Sequence, residues 1–435
     1  MALGIASATM AATAHATPGS WTEQQVQEHA EKALAYVDSF HKPSGSVEFT
    51  APLAPVVETG IALIDYGLMA RGNFANLATL SPGYPAHAEE AIRWLLTQQN
   101  ANGSWEVAGT EQTYSTGNVL AGLGVFVGMP GLTPIPGMAA AISNGRAYLE
   151  KEFRGTENGF TCTGTQEWCG GWNYDPDPLE LRSDQSNTGF ALFGLQETGG
   201  VPPAIAAQNV VWQRNIQAIA GNPFDTNSRV DGGAAYWPQL VVQGLVNTKT
   251  PPESEDEFAS NTNDTGSLLF GLAYDGLSAG EPQVVAGRTF SEQALSVFEL
   301  NKPEYNMVYH TGAGAPTACK PGSPGCEWHP SYVYENYLEG GFHYSMFSLG
   351  KGLVSYVPPQ LSNPANWYAK IVDLLIESQQ GNGSWEANGR DDADSLVASE
   401  FSIPPLIHGY GPVEPVWYSN GKALEEGKKE EVATS

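Results

Sequence analysis

Two kinds of helical segment alternate along this chain. Segments of the first kind carry apolar residues at helical spacing on one face and polar residues on the other, which is typical of helices packed on one side. They span residues 22–40, 86–99, 138–153, 204–219, 291–300 and 366–380. Segments of the second kind have few charges and many Gly, Ala and Leu residues, as in 116–129, 188–199 and 265–277. Their composition predicts buried helices.

This alternation predicts an all-α fold, a single (α/α)6 toroid in which about six inner helices form a barrel and about six outer helices cover it. No run of alternating apolar and polar residues interrupts the scheme. The segments YNMVYH and VSYVPPQ are the candidates for short extended pieces.

Two short phrases recur along the chain and indicate an internal repeat. The first is Gln, three residues, Gly, one residue and Trp, and the second is TGxxLxGL. The first phrase begins at Gln99, Gln166 and Gln379, and the second begins at Thr116, Thr188 and Thr265, with weaker copies near Thr59, Ser345 and Ser395.

The first phrase has a structural and a functional interpretation. Gly103 and Gly383 allow a backbone turn at the end of an outer helix, the Trp covers the helix end, and the Gln bonds exposed backbone groups. This interpretation predicts that the phrase ties one helix pair to the next. In the functional alternative, the indole rings of Trp105, Trp172 and Trp385 stack on a ligand.

Charge and hydropathy limit the partners of the protein. The formal net charge is −27, and a surface this acidic repels phosphate backbones, so nucleic-acid binding is excluded. Beyond the N-terminus, no apolar run is long and charge-free enough to span a bilayer, so an integral membrane protein is not expected.

The two ends of the chain differ from its middle. Residues 1–19 are small and apolar and contain Ala14-His15-Ala16, which is typical of a signal-peptidase site, although a basic start is missing. We interpret them as a truncated signal peptide, with a disordered extension as the alternative. Residues 20–420 form the toroid domain, and 421–435 form a charged tail. A secreted or periplasmic protein is expected.

Four cysteines form two equally spaced pairs, Cys162 with Cys169 and Cys319 with Cys326. Two local disulfides are the favoured interpretation outside the cytoplasm. A four-thiolate zinc site is the alternative, but paired zinc ligands are usually separated by fewer residues.

The repeats resemble those of a known family. The phrase at Gln99, preceded by Trp94-Leu95, resembles the QW motif of squalene and oxidosqualene cyclases, and the chain from about residue 20 to 420 looks like the prenyltransferase/squalene-oxidase repeat superfamily. The resemblance implies the (α/α)6 toroid. It also implies a central cavity for an apolar, isoprenoid-like ligand at the N-terminal ends of the inner helices.

The resemblance also implies a place for the catalytic acid. Such cyclases protonate an alkene with the middle Asp of a DxDD motif, and the matching segment here is 261–266, NTNDTG, where Asn263 replaces that acid. An amide is no strong acid, so a non-standard cyclase or a ligand-binding relative is expected. The candidate catalytic residues are Asp264, Asp184, Asp391, Asp392 and Asp394, and the candidate ligand-binding residues are Asn263, Trp172, Tyr236, Trp237 and His343.

The candidate acids also have a structural interpretation. Glu58, Ser115, Asn187, Asp264 and Asp394 each precede the Thr or Ser that opens an inner helix, where acceptors cap free backbone N–H groups. The zinc triad of protein prenyltransferases is not matched, because no Asp-x-Cys pair precedes His343. No metal and no cofactor are therefore predicted.

Two further classes of function stay open. Exported (α/α)6 barrels include glycoside hydrolases and polysaccharide lyases, which place paired carboxylates beside aromatic side chains that stack on sugars. Segment 172–177, Tyr236-Trp237 and Glu386 supply such residues here, so a glycan is the alternative ligand. The third possibility is a non-catalytic extracellular binding or scaffold module that has kept the barrel and lost its chemistry.

Overall fold

The computed structural model describes most of the chain. Outside its scope are residues 1–17, 50–54, 106–110, 163–167, 175–182, 221, 223–231, 239–259, 387–393 and, apart from short strands, 301–340 and 408–435.

Helices α1 to α13 fall into an outer and an inner set. The outer helices are α1 (Glu23–Asp38), α4 (Tyr84–Gln98), α6 (Met138–Glu152), α8 (Pro203–Asn215), α10 (Pro282–Leu300) and α12 (Trp367–Ser378). The inner helices are α2 (Pro55–Met69), α5 (Gln112–Gly124), α7 (Gln185–Glu197), α9 (Thr262–Tyr274), α11 (Phe342–Val354) and α13 (Ser395–Ile407). The short α3 (Leu77–Leu80) follows a 3₁₀ turn, Phe74–Asn76, and a second 3₁₀ turn spans Thr156–Asn158.

The inner helices form a closed ring. Each contacts the next in chain order, and α13 contacts α2. Each of α2, α5, α9 and α11 packs on the outer helix that follows it, whereas α13 packs on α1, the first outer helix of the chain. The (α/α)6 toroid predicted from the sequence is therefore confirmed.

Glycines of the second repeated phrase bring neighbouring inner helices close together. In three pairs, a glycine of one inner helix lies against the carbonyl oxygen of a glycine in a neighbouring inner helix. A Cβ added to the glycine that comes later in the chain would lie 2.4, 2.6 or 2.5 Å from that oxygen, in the order in which the pairs are given below. Only hydrogen fits in this space, so a larger side chain would push the two backbones apart. The pairs are Gly122 on Gly60, Gly194 on Gly117 and Gly352 on Gly266.

The first copy of the Gln…Gly-x-Trp phrase, residues 99–105, forms a loop between an outer helix and the next inner helix. We call a loop of this kind a clasp. The Trp105 indole donates to the carbonyl oxygen of Leu95 in the preceding outer helix, at 2.7 Å. The backbone N–H of Trp105 donates to the hydroxyl of Thr116 in the following inner helix, at 3.0 Å. Trp105 is fully buried and thus joins an outer helix to the next inner one.

Gln99 extends the clasp to the next outer helix. Its amide donates to the carbonyl oxygens of Gly103, at 2.9 Å, and Ala141 in α6, at 2.8 Å. Gly103 has φ +92°, and a Cβ there would lie 2.4 Å from the carbonyl oxygen of Asn144. Only glycine fits this turn, because it has a left-handed backbone and touches another helix.

Clasps with the same bond to an inner-helix hydroxyl occur elsewhere in the ring. The N–H groups of Val47, Trp172, Ala234 and Trp385 donate to the hydroxyls of Thr59, Thr188, Thr265 and Ser399, at 3.1, 3.1, 2.8 and 3.2 Å. The repeated phrase is thus a structural link between helix pairs.

Three clasps differ from the sequence phrase. In the clasp that ends at Val47, His41 and Val47 stand where the phrase has Gln and Trp. At Ala234 the amide of Gln217 bonds Gly232, although 14 residues separate the two and no Trp follows. Before Trp172, the N–H of Gly170 donates to the carbonyl of Arg154, so Phe153, not Gln166, takes the place of Gln99. Gln166 itself lies outside the part of the chain that the structure describes.

Apolar side chains fill the middle of the barrel. Phe190 and Phe347 are stacked, with ring centres 6.2 Å apart, and Phe347 and Phe401 lie 5.3 Å apart. The cluster draws on all the inner helices, with Ile61 and Ala121 among its members. Packing of these aromatic rings therefore fixes the distance between opposite inner helices.

Short strands complete the described structure. β1 (Met307–Tyr309) pairs antiparallel with β2 (Thr317–Ala318) and β3 (Cys326–Trp328), and β4 (Tyr418–Ser419) pairs with β5 (Lys422–Ala423). The extended piece predicted in YNMVYH is β1, whereas VSYVPPQ is the end of α11 and a loop. A search of the described helices finds none that meets the length and hydropathy of a membrane span.

Candidate functional site

The N-terminal ends of the inner helices meet at one end of the barrel, which we call the mouth. Neighbouring inner helices run parallel, as α5 and α7 show: Gly117 lies against Phe190, and Gly124, seven residues later, lies against Glu197. Parallel helices also direct their positive dipole ends to this mouth. The sequence-predicted residues Asp184, Asp264 and Asp394 all lie here.

The first turn of α7 uses both oxygens of Asp184. This carboxylate caps the helix by accepting from the backbone N–H of Asn187 at 2.8 Å. It also accepts from the Asn187 amide and, at 2.8 Å, from the Ser186 hydroxyl. The cap of α7 is thus Asp184 and not Asn187, because the helix begins one turn before Thr188.

Hydroxyl groups connect Asp184 to two tyrosines at the mouth. The Ser186 hydroxyl lies 3.2 Å from the Tyr236 hydroxyl and 3.3 Å from that of Tyr174, and the two tyrosine hydroxyls are 3.0 Å apart. Burial, together with Asp184 and Tyr174, raises the pKa of Tyr236 well above its usual value. Tyr236 therefore keeps its proton, and its ring also contacts that of Trp237.

The first turn of α9 resembles that of α7, except that Asn is the capping residue and Asp is the third residue of the helix. Asn261 caps the helix by accepting from the backbone N–H of Asp264 at 2.9 Å, and its amide donates to the Asp264 carboxylate at 2.7 Å. Asp264 is therefore the third residue of the helix and not its cap. The Ser345 hydroxyl, from α11, donates to the Asn263 side chain.

A second group of acids lies where α2 meets α13. Asp394 caps α13 by accepting from the backbone N–H groups of Leu396 and Val397, at 2.8 and 3.0 Å. Glu58, on the first turn of α2, is 1 % exposed and accepts from the N–H of Phe49. Burial, and then the neighbouring Asp394, raises the pKa of Glu58 to about 7.

Two fully buried acids continue this group into the barrel wall. Asp65 on α2 and Glu400 on α13 are both 0 % exposed, and their carboxyl oxygens have no hydrogen-bond partner. Burial raises the pKa of both, and Glu58, Asp65 and Asp394 raise that of Glu400 further. Burial therefore favours the protonated form of both acids. Neither acid was predicted from the sequence, where the hint is an acidic residue within each of two apolar helices.

Two predicted ligand-binding residues lie in the core instead. Trp172 is 0 % exposed, and its indole donates to the carbonyl oxygen of Leu149, so it packs between helices instead of stacking on a ligand. His343 is 1 % exposed and its Nδ1 lies 2.9 Å from the Ser402 hydroxyl. Burial lowers the pKa of His343 to about 3, which leaves the ring neutral.

Cys162 and Cys169 form a disulfide, as predicted. Cys319 and the side chain of Cys326 fall outside the described residues, as do Asp391 and Asp392. Within the described ranges, no group of three His, Cys, Asp or Glu side chains is arranged to hold a metal ion. The disulfide agrees with export, which stays a prediction.

Comparisons of the sequence with family models and with curated proteins give no match. Solved structures do resemble the toroid. A β-1,3-1,4-glucanase from Paenibacillus sp. X4 has a TM-score of 0.50 and 9 % identity, covering 92 % of this chain and 96 % of the glucanase. An inactive α-1,6-mannanase variant of Salegentibacter sp. HEL1_6, in complex with α-1,6-mannotriose, has a TM-score of 0.49 and 8 % identity, covering 89 % and 99 %.

These comparisons correct the family expected from the sequence. No model of the prenyltransferase/squalene-oxidase repeat superfamily matches, and the toroid with a TM-score of 0.50 belongs to a glucanase. The resemblance to terpenoid cyclases is therefore wrong, and the phrase taken for a QW motif does not mark a cyclase here. At this identity the likeness to the glucanase concerns the fold alone.

Proposed function

We propose that the toroid is a glycan-active enzyme whose chemistry is carried by Glu58 and Asp394. The supporting observation is the contrast between two acids on neighbouring inner helices. Glu58 is buried and its pKa is raised to about 7, whereas Asp394 is half-buried and accepts two backbone N–H groups. Cleavage of a glycosidic bond needs one protonated and one ionised carboxyl group.

The two acids would take different steps of the reaction. Glu58 would give its proton to the glycosidic oxygen as that bond breaks. Asp394 would either accept a proton from the attacking water or attack the sugar carbon itself. Separations of about 6.5–9.5 Å favour the first course and separations of about 5–5.5 Å the second.

Aromatic residues also lie at the mouth. Tyr114, Tyr174, Tyr236 and Trp237 are half-buried near the start of α5 and α7, and α7 lies opposite α13 in the ring. Rings of this kind stack on the apolar faces of sugars. The net charge of −27 would repel polyuronates, so we favour a neutral glycan.

Activity on a panel of neutral polysaccharides tests the proposal. We expect Glu58→Gln and Asp394→Asn each to lower kcat at least about 100-fold. Glu281→Gln is the matched control, because Glu281 is exposed in the loop before α10. Wild-type rates in both variants would contradict the assignment of these residues, and absence of turnover on every glycan would contradict the function itself.

One observation favours a non-catalytic binding or scaffold module as the second candidate. Phe190, Phe347 and Phe401 pack against one another within the barrel, which leaves the mouth as the place where a ligand would bind. Binding of an oligosaccharide without its cleavage would support this candidate. Native mass spectrometry before and after incubation separates the two outcomes.

A further inference from the structure

A lysine amine lies among aromatic rings at the end of the barrel opposite the mouth. The Nζ atom of Lys351 is 3.3 Å from the centre of the Phe193 ring, 5.8 Å from that of Phe270 and 5.7 Å from that of Tyr274. The Lys351 side chain is only 14 % exposed. We call these four residues the lysine cage.

Three parallel inner helices bring the cage together. Phe193 lies in the last two turns of α7, Tyr274 is the last residue of α9, and Lys351 lies in the last turn of α11. Glu197, one turn after Phe193, places a carboxylate oxygen 3.8 Å from the Nζ atom. Its side chain is 33 % exposed, so Glu197 forms the solvent side of the cage.

Removal of the Lys351 amine from water favours its unprotonated form, against the opposing effect of the carboxylate. Burial lowers the pKa of Lys351 to about 8, although Glu197 acts in the opposite direction. Tyr274 is the other titratable group facing the amine, and burial together with Glu197 raises its pKa, so it stays neutral. A desolvated, free lysine amine is a good nucleophile for carbonyl carbon.

We propose that Lys351 is a modification site that forms a Schiff base with small aldehydes. The free amine attacks the carbonyl carbon and forms a C–N bond, while the carbonyl electron pair moves to oxygen and takes up a proton. Loss of water then gives a C=N bond. Its protonated form, an iminium ion, would be stabilised by the Phe193 ring and the Glu197 carboxylate as the ammonium is.

Reductive trapping on the native full-length chain tests this site. Limiting glycolaldehyde is added at pH 7 with cyanoborohydride, whose hydride reduces the imine to a stable secondary amine, and peptide mass spectrometry follows each lysine. We expect Lys351 to react about ten-fold faster than Lys370, whose Nζ donates to the Ser296 hydroxyl. The difference should vanish in urea.

Two variants make the result decisive. Lys351→Arg should remove the fast adduct and leave Lys370 labelling unchanged. Glu197→Gln should lower the pKa of the amine, so the midpoint of the pH profile for Lys351 labelling should move to lower pH. Labelling of folded Lys351 no faster than that of Lys370, or an unchanged midpoint in Glu197→Gln, would overturn the proposal. Neither result depends on glycan activity.

Discussion

The backbone N–H of Trp105 and the hydroxyl of Thr116 form a 3.0 Å hydrogen bond that joins the two repeated phrases of the chain. Trp105 ends a clasp and Thr116 lies in the first turns of α5. Both residues are fully buried, so water cannot replace either partner. The two phrases recur together because each supplies half of this bond.

Removing the acceptor should destabilise the protein. Thr116→Val keeps the shape of the side chain but leaves the N–H of Trp105 buried and unpaired, which should lower the free energy of unfolding by about 1–3 kcal/mol. Urea denaturation measures the change. Thr97→Val is the control, because the Thr97 hydroxyl bonds its own helix at an exposed position; equal losses in both variants would contradict the prediction.

The glycine of the clasp should tolerate no side chain. Gly103→Ala adds a Cβ 2.4 Å from the Asn144 carbonyl oxygen, so we expect a loss of about 3 kcal/mol or more in the free energy of unfolding. Gly128→Ala is the matched control. Gly128 also has a positive φ, +69°, but its Cβ would meet nothing within 4 Å. Its loss should be only about 1 kcal/mol.

The contribution of Glu58 to stability should fall as the pH rises from about 4.5 to 7. The folded state raises the pKa of Glu58 from 4.5 to about 7, so the folded chain binds the Glu58 proton more tightly than the unfolded chain does. This contribution is fully present below pH 4.5 and is lost as the pH passes 7, amounting to at most about 3 kcal/mol.

Glu58→Gln isolates this contribution. An amide keeps the shape of the protonated acid and does not titrate, so the variant should match the wild type near pH 4 and become more stable than it at pH 8. Thermal unfolding at several pH values gives the comparison. A variant that is destabilised equally at every pH would show that protonation of Glu58 is unimportant for folding.

The disulfide between Cys162 and Cys169 should contribute moderately to stability. It closes a short loop, with a sequence separation of 7. This loop lies in the clasp before Trp172, where more residues separate Arg154 from Gly170 than separate Asn100 from Gly103. Replacing both cysteines by serine should lower the free energy of unfolding by about 2.5 kcal/mol. Reduced wild-type protein should show the same loss, and a loss in the variant alone would point to packing of the sulfur atoms.

Hydrophobic periodicity predicted the outer helices and low charge predicted the inner ones, although the predicted segment 291–300 covers only the second half of α10. The outer segment 138–153 differs from α6 by one residue, because its polar and apolar faces are distinct. The inner helices begin earlier than predicted: α7 begins at Gln185, and Thr188 bonds the clasp. The sequence shows which residue is suited to a cap, but only the backbone shows where the turn begins.

The candidate site was less predictable than the fold. Asp184 and Asp394 were found because acids before a helix are visible in the sequence, but Glu400 was not. Glu400 belongs to the site because it is buried beside the acids of α2, which raise its pKa. The helices α2 and α13 are far apart along the chain, so their contact leaves no local pattern in the sequence. The Gln217 clasp was missed for a related reason, since a long loop separates Gln217 from Gly232.

Closure of the ring on α1 affects how the protein forms during synthesis. The Gln379 amide donates to the His29 carbonyl oxygen, and the Tyr36 and Ser395 hydroxyls are hydrogen-bonded, across 350 and 359 residues. Of the described helices, α1 leaves the ribosome first and its partner α13 leaves it last. The nascent chain must therefore keep the apolar face of α1 from other contacts until translation is nearly complete, which makes this helix the natural place for a chaperone to act.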